Sequence, residues 1–287
     1  MQTPRGLSSE EDGAVHCLHS NHTGQYLWRR LARSDTQAAP IDPVLGRYKA
    51  QEFLRLIAHW LPDLRGRKIL KTDLREEAYG EDQILFSPAL RKGIVYAVDI
   101  AEEAVAAARR RQRGYAVSQV YLCGDVRRLP FGDGIFDMII STSTLDHFTV
   151  ADDFHVSLRE LRRVLKQGGT MILAVNNGLN VNYHCMLRVG SFLGMIPYPV
   201  QFYVPADLRR QVATCGWAVE EQEFIVHIIS PASTLLKTAR KILPRSLVDR
   251  IAKKFVALSC WLGGRRKSRW LTGWFIVLKC CPRAQSS

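Results

Sequence analysis

Between residues 67 and 175 the hydrophobic pattern switches repeatedly between strand-like and helix-like spacing, and this constrains the fold more than any other feature of the chain. Short apolar runs at 68–74, 93–100, 119–123, 136–141 and 170–175 read as strands. Several are apolar on both faces, as strands buried inside a parallel sheet must be. Helical spacing fills the intervals, with an Ala- and Glu-rich stretch at 101–113 ended by Gly114 and a longer one at 152–166 stopping at Gly168-Gly169. Alternation of this kind predicts an α/β domain built on a doubly wound parallel sheet. Asp42-Pro43 supplies an N-cap and a first-turn proline for a preceding helix that Pro62 closes. Residues 1–40 form an N-terminal extension, with one or two helical turns at 26–31, and 41–287 form the domain.

In such sheets ligands bind beyond the carboxyl ends of the strands, so the residues just after each strand are the candidates for chemistry. Asp99 ends the second strand, followed by Ile100. Its carboxylate suits the two hydroxyls of a ribose and equally suits capping the next helix. Asp125, in Cys123-Gly-Asp-Val126, ends the third strand. It can accept from an adenine amine or stand as a solvated loop carboxylate.

The order of these pieces carries a resemblance. Val-Asp99 and a helix are followed by Gly124-Asp125, Leu129-Pro-Phe131, Phe136-Asp137 and Leu145-Asp-His-Phe148. Then come Leu158-Arg-Glu-Leu-Arg-Arg-Val-Leu-Lys166, Gly168-Gly169 and an apolar strand. The chain resembles the class I S-adenosylmethionine-dependent methyltransferases, in their small-molecule branch, over about residues 45–228. The resemblance implies a Rossmann-like, doubly wound, seven-stranded sheet with S-adenosyl-L-methionine as cofactor. It implies Asp99 and Ile100 at the ribose, Gly124, Asp125 and Val126 at the adenine, and Ser141 and Thr142 facing the methionine portion. One departure stands out. The family usually carries an acid and several glycines after the first strand, where this chain reads Leu70-Lys-Thr-Asp-Leu-Arg-Glu-Glu-Ala-Tyr-Gly80. Lys71 falls where the acid is expected, and Thr72, Asp73 and Glu76 or Glu77 are the groups left to meet the cofactor's amino end. The alternative is a non-catalytic methyltransferase fold serving as a binding or scaffold subunit.

Methyl transfer to oxygen usually needs a base, and His147, beside Asp146, is the candidate; packing is its other role. The apolar stretch within 178–204, with Tyr183, Met186, Leu187, Phe192 and Met195, reads as a lid over an acceptor pocket or as a plain packing helix. Strands are expected at 217–228 and 272–280, which makes 231–270 a helical insertion before the last strand.

Charge concentrates in that insertion. The chain has 40 Lys and Arg against 27 Asp and Glu, a net of +13. Residues 231–270 alone carry +10, with Asp249 their one acid. Helices at 231–243 and 246–262 are expected there, the second with Leu247, Ile251, Phe255, Leu258 and Leu262 on one side and Arg250, Lys253 and Lys254 towards the other. Basic amphipathic helices with tryptophan suit an anionic membrane surface, an RNA backbone, or packing with solvated charge. Seven scattered cysteines form no Cys-x-x-Cys pair and no zinc-like cluster, and read as reduced thiols. With no apolar leader in the first 25 residues and no apolar run of spanning length, the expected location is cytoplasmic, peripheral on a membrane at most. Together these readings predict methyl transfer to a small, apolar or lipid-like acceptor at oxygen, with RNA methylation as the alternative reaction.

Overall fold

Strand β1 (Lys68–Thr72) alternates its side chains between the two faces of a sheet, and both faces are covered: Ile69 belongs to one hydrophobic core and Leu70 to another. The computed structural model describes residues 41–112, 119–194, 196, 198–229, 231–265 and 268–283. The expected helical turns at 26–31 and the Gly114 stop lie outside the described residues.

Among the described residues, β1 joins β2 (Ile94–Asp99), β3 (Gln119–Cys123), β4 (Phe136–Thr142), β5 (Leu165–Asn176), β6 (Trp217–Ile225) and β7 (Phe275–Pro282) in one sheet of order β3-β2-β1-β4-β5-β7-β6. Pairing is parallel from β3 to β5, and β7 lies antiparallel between β5 and β6. The strand order reverses between β1 and β4, which opens a crevice at their carboxyl ends. This is the expected doubly wound, seven-stranded architecture.

On one face pack α1 (Pro43–Trp60), α2 (Arg75–Tyr79) and α3 (Glu102–Gln112). On the other pack α4 (Ala151–Val164) and α6 (Pro205–Thr214), through Leu158, Leu161, Leu208 and Val212, with the fully buried Trp217 donating its indole N–H to the Leu158 carbonyl at 3.0 Å. Helix α5 (Val181–Phe192) follows β5. Helices α7 (Pro231–Ala239), α8 (Arg245–Gly264) and α9 (Arg269–Thr272) occupy the interval between β6 and β7.

Some boundaries depart from the sequence reading. Gly168 and Gly169 do not stop α4, which ends at Val164; they lie inside β5, where Gly168 takes φ +77° at a register shift against β4. The last strand starts at Phe275, because the residues before it form α9. The sequence left open which face of α8 packs on the domain. The helix buries Val248, Ala252 and Ser259 and leaves Leu247, Ile251, Leu258 and Trp261 exposed. The smaller side chains allow α8 to lie close on α1 and α7, with Phe255 and Val256 packed partly against the core.

The cap at Asp42 proved tighter than expected. Its fully buried carboxylate accepts from the Val44 N–H at 2.9 Å and pairs with Arg240 at 2.5 Å, while its own N–H donates to Ser233. One side chain therefore starts α1 and clamps α7. Asp42→Ala should cost about 2–4 kcal/mol in urea unfolding, by removing a cap and one side of a buried pair. An unchanged midpoint would contradict this role.

Candidate active site

Asp99 reaches across the crevice edge. One carboxylate oxygen accepts the Leu74 N–H at 2.7 Å and the other the Ala101 N–H at 2.8 Å. It thus caps the entrance to α3 and ties the loop after β1 to the end of β2, and each oxygen retains a lone pair. Asp99, Ile100, Gly124, Asp125 and Val126 all line one large cavity of about 1380 Å³ above the sheet, as do Thr72, Asp73 and His147. Asp125 is already engaged there. Both its oxygens accept from the Arg127 guanidinium, at 2.6 to 3.0 Å, and Arg127 bridges on to Asp153 at 2.8 Å. Arg127, which sequence reading missed, sets the orientation of this carboxylate.

Three expected residues do not meet the cavity. Glu77 is fully buried beneath α2, 3.5 Å from the Lys71 ammonium and accepting the Ile84 N–H, so Glu76 faces the cavity in its place. A five-residue helix turns successive side chains by about 100°, which sends neighbours in different directions. Ser141 and Thr142 are buried within β4, Ser141 bonded to the Thr72 hydroxyl at 3.0 Å. The strand runs one residue further than expected, and Ser143 and Thr144 line the cavity instead. Ser143 has φ +53° and Asp73 φ +67°, left-handed backbone that costs a non-glycine residue energy and clusters at functional sites.

The loop without glycines is held by the residue that replaces the acid. Lys71 is buried, and its ammonium donates to the carbonyls of Thr72 at 3.1 Å and Asp73 at 2.6 Å. Next to it, Lys49 of α1 pairs with Glu76 at 3.1 Å and Asp82 at 2.7 Å. Among the described residues, Asp73, Glu76, Glu77, Asp82 and Asp99 thus gather around the two ammonium groups, with the Arg75 guanidinium also lining the cavity. Burial, with Glu76 and Asp99 nearby, pushes the Asp73 carboxyl well above its usual range. Burial also raises Asp99 and Asp82. Burial opposes ionisation of Glu76 too, but Lys49 and Lys71 prevail and hold it down to about 2. Buried oxygens of Glu76, Glu77 and Asp82 have no hydrogen-bond donor. A pocket with this surplus of carboxylate fits a ligand carrying a sulfonium and an ammonium, so the donor set agrees with S-adenosylmethionine. Thr72, Asp73, Glu76 and Asp99 are the groups that would hold it.

At the end of β4, His147 donates from Nδ1 to the Pro199 carbonyl at 2.8 Å, its ring edge-on to Tyr198. Its Nε2 lies 3.9 Å from Asp146, whose fully buried carboxylate accepts from the Asn176 side chain at 2.5 Å. Burial raises the Asp146 carboxyl. Asn176 also accepts from the Tyr183 hydroxyl at 3.1 Å, linking this corner to α5. Asn180 caps α5 through the Tyr183 N–H and, with Asn177, grips the carbonyl of Gly273. The Asn176-Asn177-Gly178 run thus joins strand, lid and insertion, a role its composition did not announce.

Residues 78–173 match the family described as methyltransferase domain. A curated methyltransferase-named protein of Encephalitozoon cuniculi is 42% identical over 52 residues, 18% of this chain, and the match spans a quarter of that relative's length. Among solved structures, magnesium protoporphyrin IX methyltransferase from Synechocystis, with its bound demethylated cofactor, aligns with a TM-score of 0.52 at 16% identity, covering 92% of this chain and 95% of its own. An S-adenosylmethionine-dependent methyltransferase from Mesorhizobium loti aligns with a TM-score of 0.51 at 15% identity, covering 79% and 96%. An enzyme solved in work on disulfide-to-thioacetal conversion in echinomycin biosynthesis reaches 0.58 at 16% identity, covering 92% and 94%. The fold is that of the class I S-adenosylmethionine-dependent methyltransferases. Residues 78–173 match a methyltransferase domain, and the cofactor of the class is S-adenosylmethionine.

The charge cluster makes a pH prediction. A carboxyl held at about 2 when folded and 4.5 when unfolded adds stability that is complete above pH 4.5 and disappears as pH falls towards 2. The parent should exceed Glu76→Gln in stability above pH 4.5, and the gap should close towards pH 2. Chemical denaturation across that range would reveal a constant gap if the carboxylate is not held this way.

Proposed function

We propose that this chain transfers a methyl group from S-adenosylmethionine to an oxygen of a small, apolar or lipid-like acceptor. The observation that carries this reading is the continuity of the cavity. It runs from the strand ends bearing Thr72, Asp73 and Asp99 to a wall formed by Met186, Leu187, Val189 and Leu193 of the α5 region. When bound, the cofactor supplies a methyl activated by a positively charged sulfur. The chain's part is to hold that group, keep water out and orient the acceptor. His147 borders the cavity between the two halves. With Nδ1–H committed to Pro199, the lone pair of the neutral ring lies on Nε2, the atom that would take the acceptor's proton. The apolar lid supports an apolar acceptor, since adaptable side chains such as Met186 shape themselves to hydrocarbon.

Calorimetry with S-adenosylmethionine should give binding that Asp99→Ala weakens roughly ten- to a hundredfold, the value of a charge-assisted hydrogen bond or two. With isotope-labelled cofactor and a total lipid extract, label should enter an organic-soluble product through oxygen. His147→Gln should slow this about a hundredfold with cofactor affinity unchanged. Absence of cofactor binding by the parent defeats the reading at its first step.

The insertion supports a membrane surface as the place where the acceptor is met. On α8 the exposed Leu247, Ile251, Leu258 and Trp261 fall within an arc of about 80°, with Lys254 inside it and Arg250 at its edge. No helix among the described residues is long and apolar enough to cross a membrane, so engagement would be at the interface. Flotation should carry the protein up with phosphatidylserine-containing liposomes and leave it behind with phosphatidylcholine alone. Leu247→Ser with Trp261→Ser should abolish the difference. Equal flotation by parent and variant would refute the assignment.

A further inference from the structure

The two ends of the cavity differ in chemistry. Its carboxylates, Asp73, Glu76, Asp82, Asp99, Asp125 and Asp153, all come from the sheet edge and from helices α2 and α4 or the loops beside them, where they outnumber the lining cations Lys49, Arg75 and Arg127. The far wall is different. There α7 and the turn after it present Thr234, Lys237, Thr238 and Lys241 to the same cavity. These positions are spaced i, i+3, i+4 and i+7, so they form a single helical face, continued past Ala239 by the bond from the Lys241 N–H to the Thr238 carbonyl at 3.0 Å.

The orientation of that face is enforced from behind. Ala232 and Leu236 are buried against the domain, Ser233 accepts the Asp42 N–H at 2.8 Å, and Arg240 is spent on Asp42 and Asp249 at 2.5 and 2.7 Å. Asp249 is the only acid of the insertion, and it is turned to Arg240. Burial and the neighbouring Lys241 together lower the Lys237 ammonium pKa, so two like charges are held near one another at the cavity wall. The Met186, Leu187, Val189, Leu193 and Ile196 side chains of the lid region line the same space.

We propose that the Thr234, Lys237, Thr238 and Lys241 face is an anion subsite, and that the acceptor is an amphiphile carrying a carboxylate or phosphate that docks there. Its apolar body lies along the lid, and its methylated oxygen is brought towards His147. Two ammoniums and two hydroxyls provide charge and directed donors for an oxyanion, while at the opposite end the cations Lys49 and Arg127 are already paired with carboxylates and carboxylates are in excess, so the acceptor enters in one orientation. This inference rests on the methyltransferase reading above for the identity of the acceptor, but the subsite itself does not.

The test uses the full chain, with and without saturating S-adenosylhomocysteine, and three probes below their micellar concentrations: dodecyl phosphate, dodecanoate and dodecanol. Calorimetry should show at least one anionic probe binding at least tenfold more tightly than the alcohol. Lys237→Ala with Lys241→Ala should remove that preference and leave S-adenosylhomocysteine binding unchanged, while Lys237→Arg with Lys241→Arg should retain it. The tighter anionic probe names the acid group. Equal binding of anionic and neutral probes, binding of neither anion by the parent, or an unchanged preference in the double alanine variant overturns the proposal. Failure of S-adenosylhomocysteine to bind, with anion preference intact, would instead refute the methyltransferase reading alone.

Discussion

A buried ammonium organises the crevice. Lys71 projects from β1 into the space under the following loop, donates to the carbonyls of Thr72 and Asp73, and faces Glu77. Those bonds hold the turn, and Asp73 within it takes left-handed backbone although it carries a side chain. Burying Lys71 is tolerable only because carboxylates surround it, and the carboxylates are tolerable only because Lys71 and Lys49 stand among them. Charge raises the Lys71 ammonium against the opposing effect of burial, chiefly through Glu77 and Glu76. The β1 loop, the N-terminus of α2 and the end of β2 are thereby drawn together, because Asp99 takes the N–H of Leu74 from the same loop.

Around that crevice the rest of the molecule is arranged as cover. The Asn176 to Asn180 run ties β5 to both α5 and the end of the insertion, and Asp42 ties α1 to α7. Helix α5 and the insertion are therefore anchored at their bases by buried polar contacts. Large apolar side chains are exposed on both: Phe192 is 89% exposed and Ile242 79%. Buried polar anchoring fixes orientation, because each group left unpaired would be costly. It does so without using up the apolar side chains, which remain for a ligand or a surface.

Elements whose boundaries are set by local chemistry were legible in the sequence. The Asp42-Pro43 start of α1 and the span of β3 from 119 to 123 appear as expected, since a cap and an apolar run are local signals. That Asp99 and Asp125 lie on one cavity was also legible, because strand ends in a doubly wound sheet converge on one edge. The finer placements were not legible. Of Glu76 and Glu77, both left open by the sequence, Glu76 lines the cavity and Glu77 does not, because adjacent helix positions point about 100° apart. Ser143 with Thr144 line it rather than Ser141 with Thr142, because β4 runs on through Thr142 and keeps the earlier pair buried in the sheet. Gly168 and Gly169 looked like a helix stop because glycine signals a break without saying which element it interrupts. Arg127, Lys49 and Asn176 were not visible as site residues, since their partners are brought to them only by folding.

The chain's own order of residues determined the strand-helix alternation, hence the sheet, the switch point and the edge where a ligand binds. It also determined that the positive charge is confined to one segment, because composition by position is independent of folding. Tertiary structure decided how that charge is used. Arg240 and Arg269 are tied down by Asp42, Asp249 and Glu223, Lys237 and Lys241 line the cavity, and Leu247, Ile251, Leu258 and Trp261 of α8 are turned out. Helical periodicity defines which residues share a face. Only packing decides which face the domain buries, because that choice depends on how closely Val248, Ala252 and Ser259 allow the helix to approach.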